Sequence, residues 1–168
     1  MIRILVPVDA SPNARRAVRH VVAEFHKRSA TEIHLLNIQP PFSRHVAQFA
    51  SRRNRAAYHR EQGERALEPA RRLLEQAGVP HTTHIELGEK AQVIAREARR
   101  LRCDRIVMAT ARKNSLTRMI EDSVTNEVLE LTTVPVEVIA GDAVSKWERY
   151  GIPAGIGLAF ALVYAAFE

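Results

Sequence analysis

An alternation governs what this chain can become. Short runs of β-branched and other apolar residues trade places with amphipathic stretches of helical period, from Ile2 to Ile139. The first run, Ile2 to Val8, is interrupted only by Arg3 and Pro7 and fits a strand buried on both faces. Asp9-Ala10-Ser11-Pro12 then reads as a helix start, with Ser11 able to cap free N–H groups and Pro12 suited to the first helical position. The helix so predicted carries Ala14, Ala17, Val18, Val21, Val22 and Phe25 on one face, with Arg15, Arg16, Arg19 and Lys27 largely elsewhere.

The rhythm continues along the chain. Glu32 to Ile38 reads as a second strand, and Gln39 to about Ser51 as a proline-containing loop. A long helix follows to Ala77, striped by Leu67, Ala70, Leu73, Leu74 and Ala77. Pro69 inside it predicts a kink or a local boundary, and Gly78 a stop. His81 to Leu87 alternates rather than running solidly apolar, which suits a sheet edge. Gly88 leads into a helix with Ala91, Ile94, Ala95, Ala98 and Leu101 inward. Arg105 to Thr110 reads as a fourth strand, Ser115 to Leu131 as a helix and Val134 to Ile139 as a fifth strand.

Strands and helices in this order predict an α/β fold, an open parallel sheet of five strands with helices on both faces. Right-handed crossovers leave few topologies. Ligands of such sheets sit beyond the C-terminal ends of the strands, where strand order reverses. Here those ends are Asp9, Ile38 to Pro41, and Thr110 onward. The loop Thr110-Ala111-Arg112-Lys113-Asn114-Ser115 is therefore the best-placed functional segment.

Composition narrows the class. With 168 residues, 46% apolar and 26% charged, the chain suits one globular domain and excludes wholesale disorder. Mean hydropathy of −0.20 excludes a polytopic membrane protein. The single cysteine, Cys103, cannot form an internal disulfide. Met1 to Val6 lacks the pattern of a signal peptide, so a cytoplasmic location is expected.

Three segments in order resemble the universal stress protein family. They are Ile4-Leu5-Val6-Pro7-Val8-Asp9-Ala10-Ser11; Ile106-Val107-Met108-Ala109-Thr110 with Asp122-Ser123-Val124-Thr125; and Val134-Pro135-Val136-Glu137-Val138-Ile139. The resemblance spans residues 1–140 and implies a Rossmann-like five-stranded domain, usually dimeric through its last strand. Val134, Val136 and Val138 would then form the homodimer contact, on an edge a partner can pair.

One branch of that family binds ATP through glycines after the fourth strand, where backbone N–H groups cradle phosphate. Here Ala109, Arg112, Ser115 and Asp122 occupy the resembling glycine positions, and Asp122 sets a negative charge where phosphate oxygens would approach. The resemblance thus implies the branch lacking that motif, with no cofactor required. Should ATP bind, the resemblance carries over Asp9 and Ser123, and the nucleotide would sit against Asp9 and the segment from Thr110 to Ser123. Arg112 and Lys113 would replace backbone amides as phosphate ligands, with Ser11, Asn114 and Ser115 adding hydrogen bonds.

Other constellations are weaker. His81 and His84 fall on opposite faces of a strand, and His20 and His26 are six apart on a helix, so no metal site is expected. Cys103 precedes a buried strand and reads as a core residue, and no Gly-x-Ser-x-Gly elbow occurs, so no catalysis is expected. Between Arg44 and Arg60 lie five arginines (Arg44, Arg52, Arg53, Arg55, Arg60) and no acid, nearly the whole excess of the +6 net charge. That patch reads as a solvated loop entering a helix, or as an anion or lipid-headgroup surface. No recognisable motif supports a nucleic-acid partner.

The tail stands apart. Residues 141–149 form a polar linker, and Tyr150 to Phe167 are 18 residues without a charge. As a helix, Tyr150 to Phe167 would reach about 27 Å, slightly short of a hydrocarbon core of about 30 Å. Residues 150–168 are read as an added apolar C-terminal helix, set either against a membrane or against protein. Trp147 and Tyr150 would lie at the interface, with Lys146 and Arg149 on the cytoplasmic side. The expected function is a non-enzymatic, dimeric stress-response adaptor binding a protein partner, with an ATP-binding nucleotide sensor as the alternative and a slow nucleotide hydrolase behind it.

Overall fold

The computed structural model describes residues 2–27, 31–43, 45, 48–49, 51–110 and 124–140. The expected helix start at 115–123, the linker 141–149 and the tail 150–168 lie outside them.

Strand β1 (Ile2–Pro7) is followed by α1 (Pro12–Phe25), β2 (Thr31–Gln39), α2 (Arg52–Gln76), β3 (His81–Leu87), α3 (Lys90–Arg100), β4 (Arg105–Thr110), α4 (Val124–Leu131) and β5 (Val136–Ala140). All pairings are parallel, in the order β3-β2-β1-β4-β5. The two strands read as most apolar and most alternating take the places those patterns demand. β1 is central, with Ile4, Leu5 and Val6 fully buried, while β3 forms an edge.

Alternation along β1 divides the core. Ile4 and Val6 pack with Ala17, Val18 and Val21 of α1 and Leu67, Ala70 and Leu74 of α2. Leu5 faces the other way, with Leu36, Ile106, Ala91, Ile94 and Ala98 of α3 and Val128 of α4. The expected five-stranded parallel sheet with a core on both faces is therefore observed.

Local chemistry explains the boundaries. Ser11 caps α1, its Oγ accepting the Ala14 N–H at 3.3 Å. α2 ends as Gly78 takes φ +64°, with the Gly78 N–H bonded to Glu75 O and the Val79 N–H to Leu74 O. At Gly63 a Cβ would lie 2.6 Å from Ile85 Cγ2, so only glycine lets α2 sit this close to β3.

Two expectations need correction. Of the kink or boundary expected at Pro69, the boundary is absent, because α2 runs through it from Arg52 to Gln76. The proline is exposed, so the helical bond it removes frees a carbonyl that faces water. β5 begins at Val136 rather than Val134. Val134 turns its N–H to Thr132 Oγ1 at 3.1 Å, and Pro135 has no N–H to give the ladder.

Candidate functional site

The strand order reverses between β1 and β4, which both run toward the same end of the sheet. A cleft of about 250 Å³ opens there. Its floor is Pro7 and Val8 from the end of β1, Leu36 and Ile38 from β2, and Met108 and Ala109 from β4. Its polar rim is Asp9, Ser11 and Asn13 before and within the first turn of α1, Lys90 at the start of α3 and Thr125 at the start of α4. A parallel sheet produces this arrangement by necessity. Strand C-terminal ends feed helix N-termini, so the N-terminal dipole ends of α1 and α3 converge on one opening and favour a negative group.

Asp9 organises the rim. Its Oδ1 accepts the Ser11 N–H at 3.0 Å and the Ser11 hydroxyl at 2.5 Å. The same Ser11 oxygen caps α1, so the carboxylate is fixed to the helix start. Oδ2 of Asp9 makes no hydrogen bond among the described residues and is free to accept from a ligand. Behind the rim, Asn37 donates to Val8 O at 2.8 Å and accepts from Gln39 at 2.6 Å, locking the end of β2 to β1.

A family model described as the universal stress protein family matches residues 1–140. The chain belongs to that family. A universal stress protein of Methanocaldococcus jannaschii is 27% identical over 139 residues, spanning 82% of this chain and 81% of that protein. The solved structure of hypothetical protein MJ0577 is 27% identical, with a TM-score of 0.68 over 84% of this chain and 97% of that one. A universal stress protein family protein of Arabidopsis thaliana, solved with AMP bound, has a TM-score of 0.60 at 21% identity, covering 92% and 97%. The Rossmann-like fold of the universal stress proteins is thus the fold of this chain.

Of the site residues read from the sequence, Asp9 and Ser11 come together on the rim. Thr110 ends β4, with its side chain outside the described residues. Arg112, Lys113, Asn114, Ser115, Asp122 and Ser123 also lie outside them. Sequence reasoning missed Asn13, Lys90 and Thr125. For Asn13 and Lys90 the position at a helix start was the available signal, since helix starts in this fold gather at one end of the sheet.

Other side-chain groups bear on chemistry. The Cys103 thiol is buried and pushed up to about 11, first by desolvation and then by Asp104, so it stays protonated and is no nucleophile at neutral pH. Three ligand-type residues, His20 and Glu24 of α1 and Glu137 of β5, meet within 4.8 Å. His20 Nε2 lies 2.7 Å from Glu137 Oε1. Arg105 contacts both carboxylates, reaching Glu137 at 2.9 Å, and supplies the positive charge a metal would otherwise bring. No chain spacing could reveal this cluster, because β5 brings in its third member. Among the described residues, no helix is long and apolar enough to cross a membrane.

Proposed function

We propose that this universal stress protein is a non-enzymatic binding module that takes an adenine nucleotide, held chiefly through its nucleoside, in the cleft between β1 and β4. The carrying observation is the fixed Asp9 carboxylate with a free Oδ2 at the mouth of an apolar-floored cleft. An apolar floor suits a base, and a carboxylate acceptor suits ribose hydroxyls or an exocyclic amine. The AMP-bound Arabidopsis structure of the same fold supports the choice of nucleotide. Side chains stand at the positions resembling phosphate-cradling glycines, Ala109 among them on the cleft floor. A triphosphate therefore gains little over a monophosphate.

Calorimetric titration of the full chain with AMP and with ATP plus Mg²⁺ tests this, together with a check for nucleotide carried through purification. AMP is expected to bind at least as tightly as ATP. Asp9→Ala should weaken AMP by roughly tenfold or more, as expected for a lost hydrogen bond to a charged group. Absence of both heat and carried nucleotide would remove the proposal, and a clear preference for ATP would remove its monophosphate part.

A second reading, assembly, has its own observation. β5 is an edge strand, Val138 on it is 41% exposed, and Leu129 and Leu131 of α4 are exposed as well. An unpaired apolar edge suits a second copy of the chain, as the resemblance implied for Val134, Val136 and Val138. Light scattering should report a dimer for the wild type and a monomer for Val138→Lys.

A further inference from the structure

Helix α2 is built by two opposite rules. In its second half every arginine is paired: Arg65 with Glu61, Arg71 with Glu64, Glu68 and Glu75, and Arg72 with Glu68. From Arg52 to Arg60 it holds Arg52, Arg53, Arg55 and Arg60 and no acid, and none stands in the first turn. Arg52, Arg53 and Arg60 are exposed and make no ion pair among the described residues. Arginine is the wrong charge for a helix N-terminus, where the positive dipole end and the guanidinium groups repel. Local stability would favour acids here, so the arrangement calls for a reason outside the helix.

Large aromatics share this end of the helix. Phe49 is 84% exposed and Tyr58 48% exposed. Tyr58 and His59 both rest on Phe42, at ring-centroid distances of 5.4 and 4.4 Å. His59 is 7% exposed, and its Nδ1 has no hydrogen-bond partner among the described residues. Exposed aromatic rings at the same helix end as unpaired arginines match the two demands of a lipid–water interface: amphipathic rings at headgroup depth and positive charge against anionic headgroups. A nucleic acid would meet the charge equally well. The 18-residue uncharged stretch from Tyr150 to Phe167 in the same chain favours lipid.

We infer that the N-terminal end of α2, through Arg52, Arg53, Arg60, Phe49 and Tyr58, is a docking surface for anionic phospholipid membranes. The test is co-sedimentation of the full chain with phosphatidylcholine vesicles and with mixed phosphatidylcholine–phosphatidylglycerol vesicles. Binding is expected only to the anionic vesicles, and it should weaken as salt rises. At about fivefold per basic residue, Arg52→Glu, Arg53→Glu and Arg60→Glu together should weaken it by more than roughly a hundredfold. The triple variant is expected to fold, because acids in the first turn of α2 are favourable at 52 and 53, and Arg60 is exposed with no ion pair among the described residues. Should circular dichroism show otherwise, the Arg→Gln triple at the same positions replaces it. The inference is overturned if anionic vesicles leave the protein in solution, or if the folded triple variant sediments like the wild type. It is also overturned if an oligonucleotide at equal phosphate concentration binds more tightly than the vesicles.

Discussion

The two faces of the sheet are stabilised by different physics. Toward α1 and α2 the centre is an apolar cluster running from Ile4 and Val6 through Val21 to Leu67 and Leu74, and the ionisable groups His20, Glu24, Arg105 and Glu137 stand half-buried at its margin. Toward α3 and α4 the same sheet buries ionisable groups beside its apolar ones. Glu97 is 2% exposed, and both its oxygens accept from arginines, at 2.6 Å from Arg100 and 3.2 Å from Arg96. His34 Nδ1 stands 3.1 Å from His84 Nε2 across β2 and β3, with Glu32 3.5 Å from His34 Nε2. The centre of the first face responds to volume, and that of the second also to charge.

The largest effect that would sharpen this contrast is a cavity on the apolar face. Leu67→Ala should cost about 2–5 kcal/mol in denaturant unfolding, with a loss that hardly varies between pH 5 and 8. A strongly pH-dependent loss would break the comparison.

Next comes the buried acid. Burial alone raises the Glu97 carboxyl, but hydrogen bonds from Arg100 and Arg96 outweigh it and hold the group below the usual range. Glu97→Ala should cost about 1–3 kcal/mol at pH 7, tempered because both arginines can turn to water. With a lowered folded value, that contribution is present above the unfolded pKa of about 4.3 and fades as pH falls below it. The variant's deficit should therefore shrink in acid.

The histidine pair gives a graded effect. Burial lowers both His34 and His84. Arg3 and Arg100 lower His34 further while Glu32 opposes; His34 and Arg100 lower His84 further while Glu97 opposes. The unfolded chain then binds protons that the folded one refuses. Stability should fall as pH drops below about 6.5, the ordinary histidine value. His84→Gln should flatten that slope in urea titrations; an unchanged slope would acquit the pair.

The smallest expected effect is at a helix end. α3 closes with the same bonding as α2, the Cys103 N–H reaching Ala98 O at 2.9 Å, but the left-handed position is Arg102 at φ +53° rather than a glycine. Arg102→Gly should raise the midpoint of unfolding by up to about 1 kcal/mol in equivalent stability.

Much of this was legible in the residues and some was not. Ser11 followed by Pro12 announced the start of α1, Gly78 the end of α2, and the solid apolar run at Ile4 to Val6 a central strand. Those signals are local and act within a few residues. His34 gave no such signal. Its partner lies 50 residues away, and only the register that sets Leu36 opposite His84 brings the rings together. The cleft was placed at the ends of β1 and β4 by the alternation alone, yet Lys90 and Thr125 joined its rim only once the sheet had gathered their helices.

The sequence by itself determined the succession of elements, their caps and the central strand, because periodicity and capping depend on neighbours in the chain. The tertiary structure alone decided where on each face of the sheet charge would be held. It also decided that Arg105 would balance Glu24 and Glu137, and that Gly63 would be the place where α2 touches β3. Those outcomes depend on distances between residues far apart in the chain, and only the register and order of the strands set such distances.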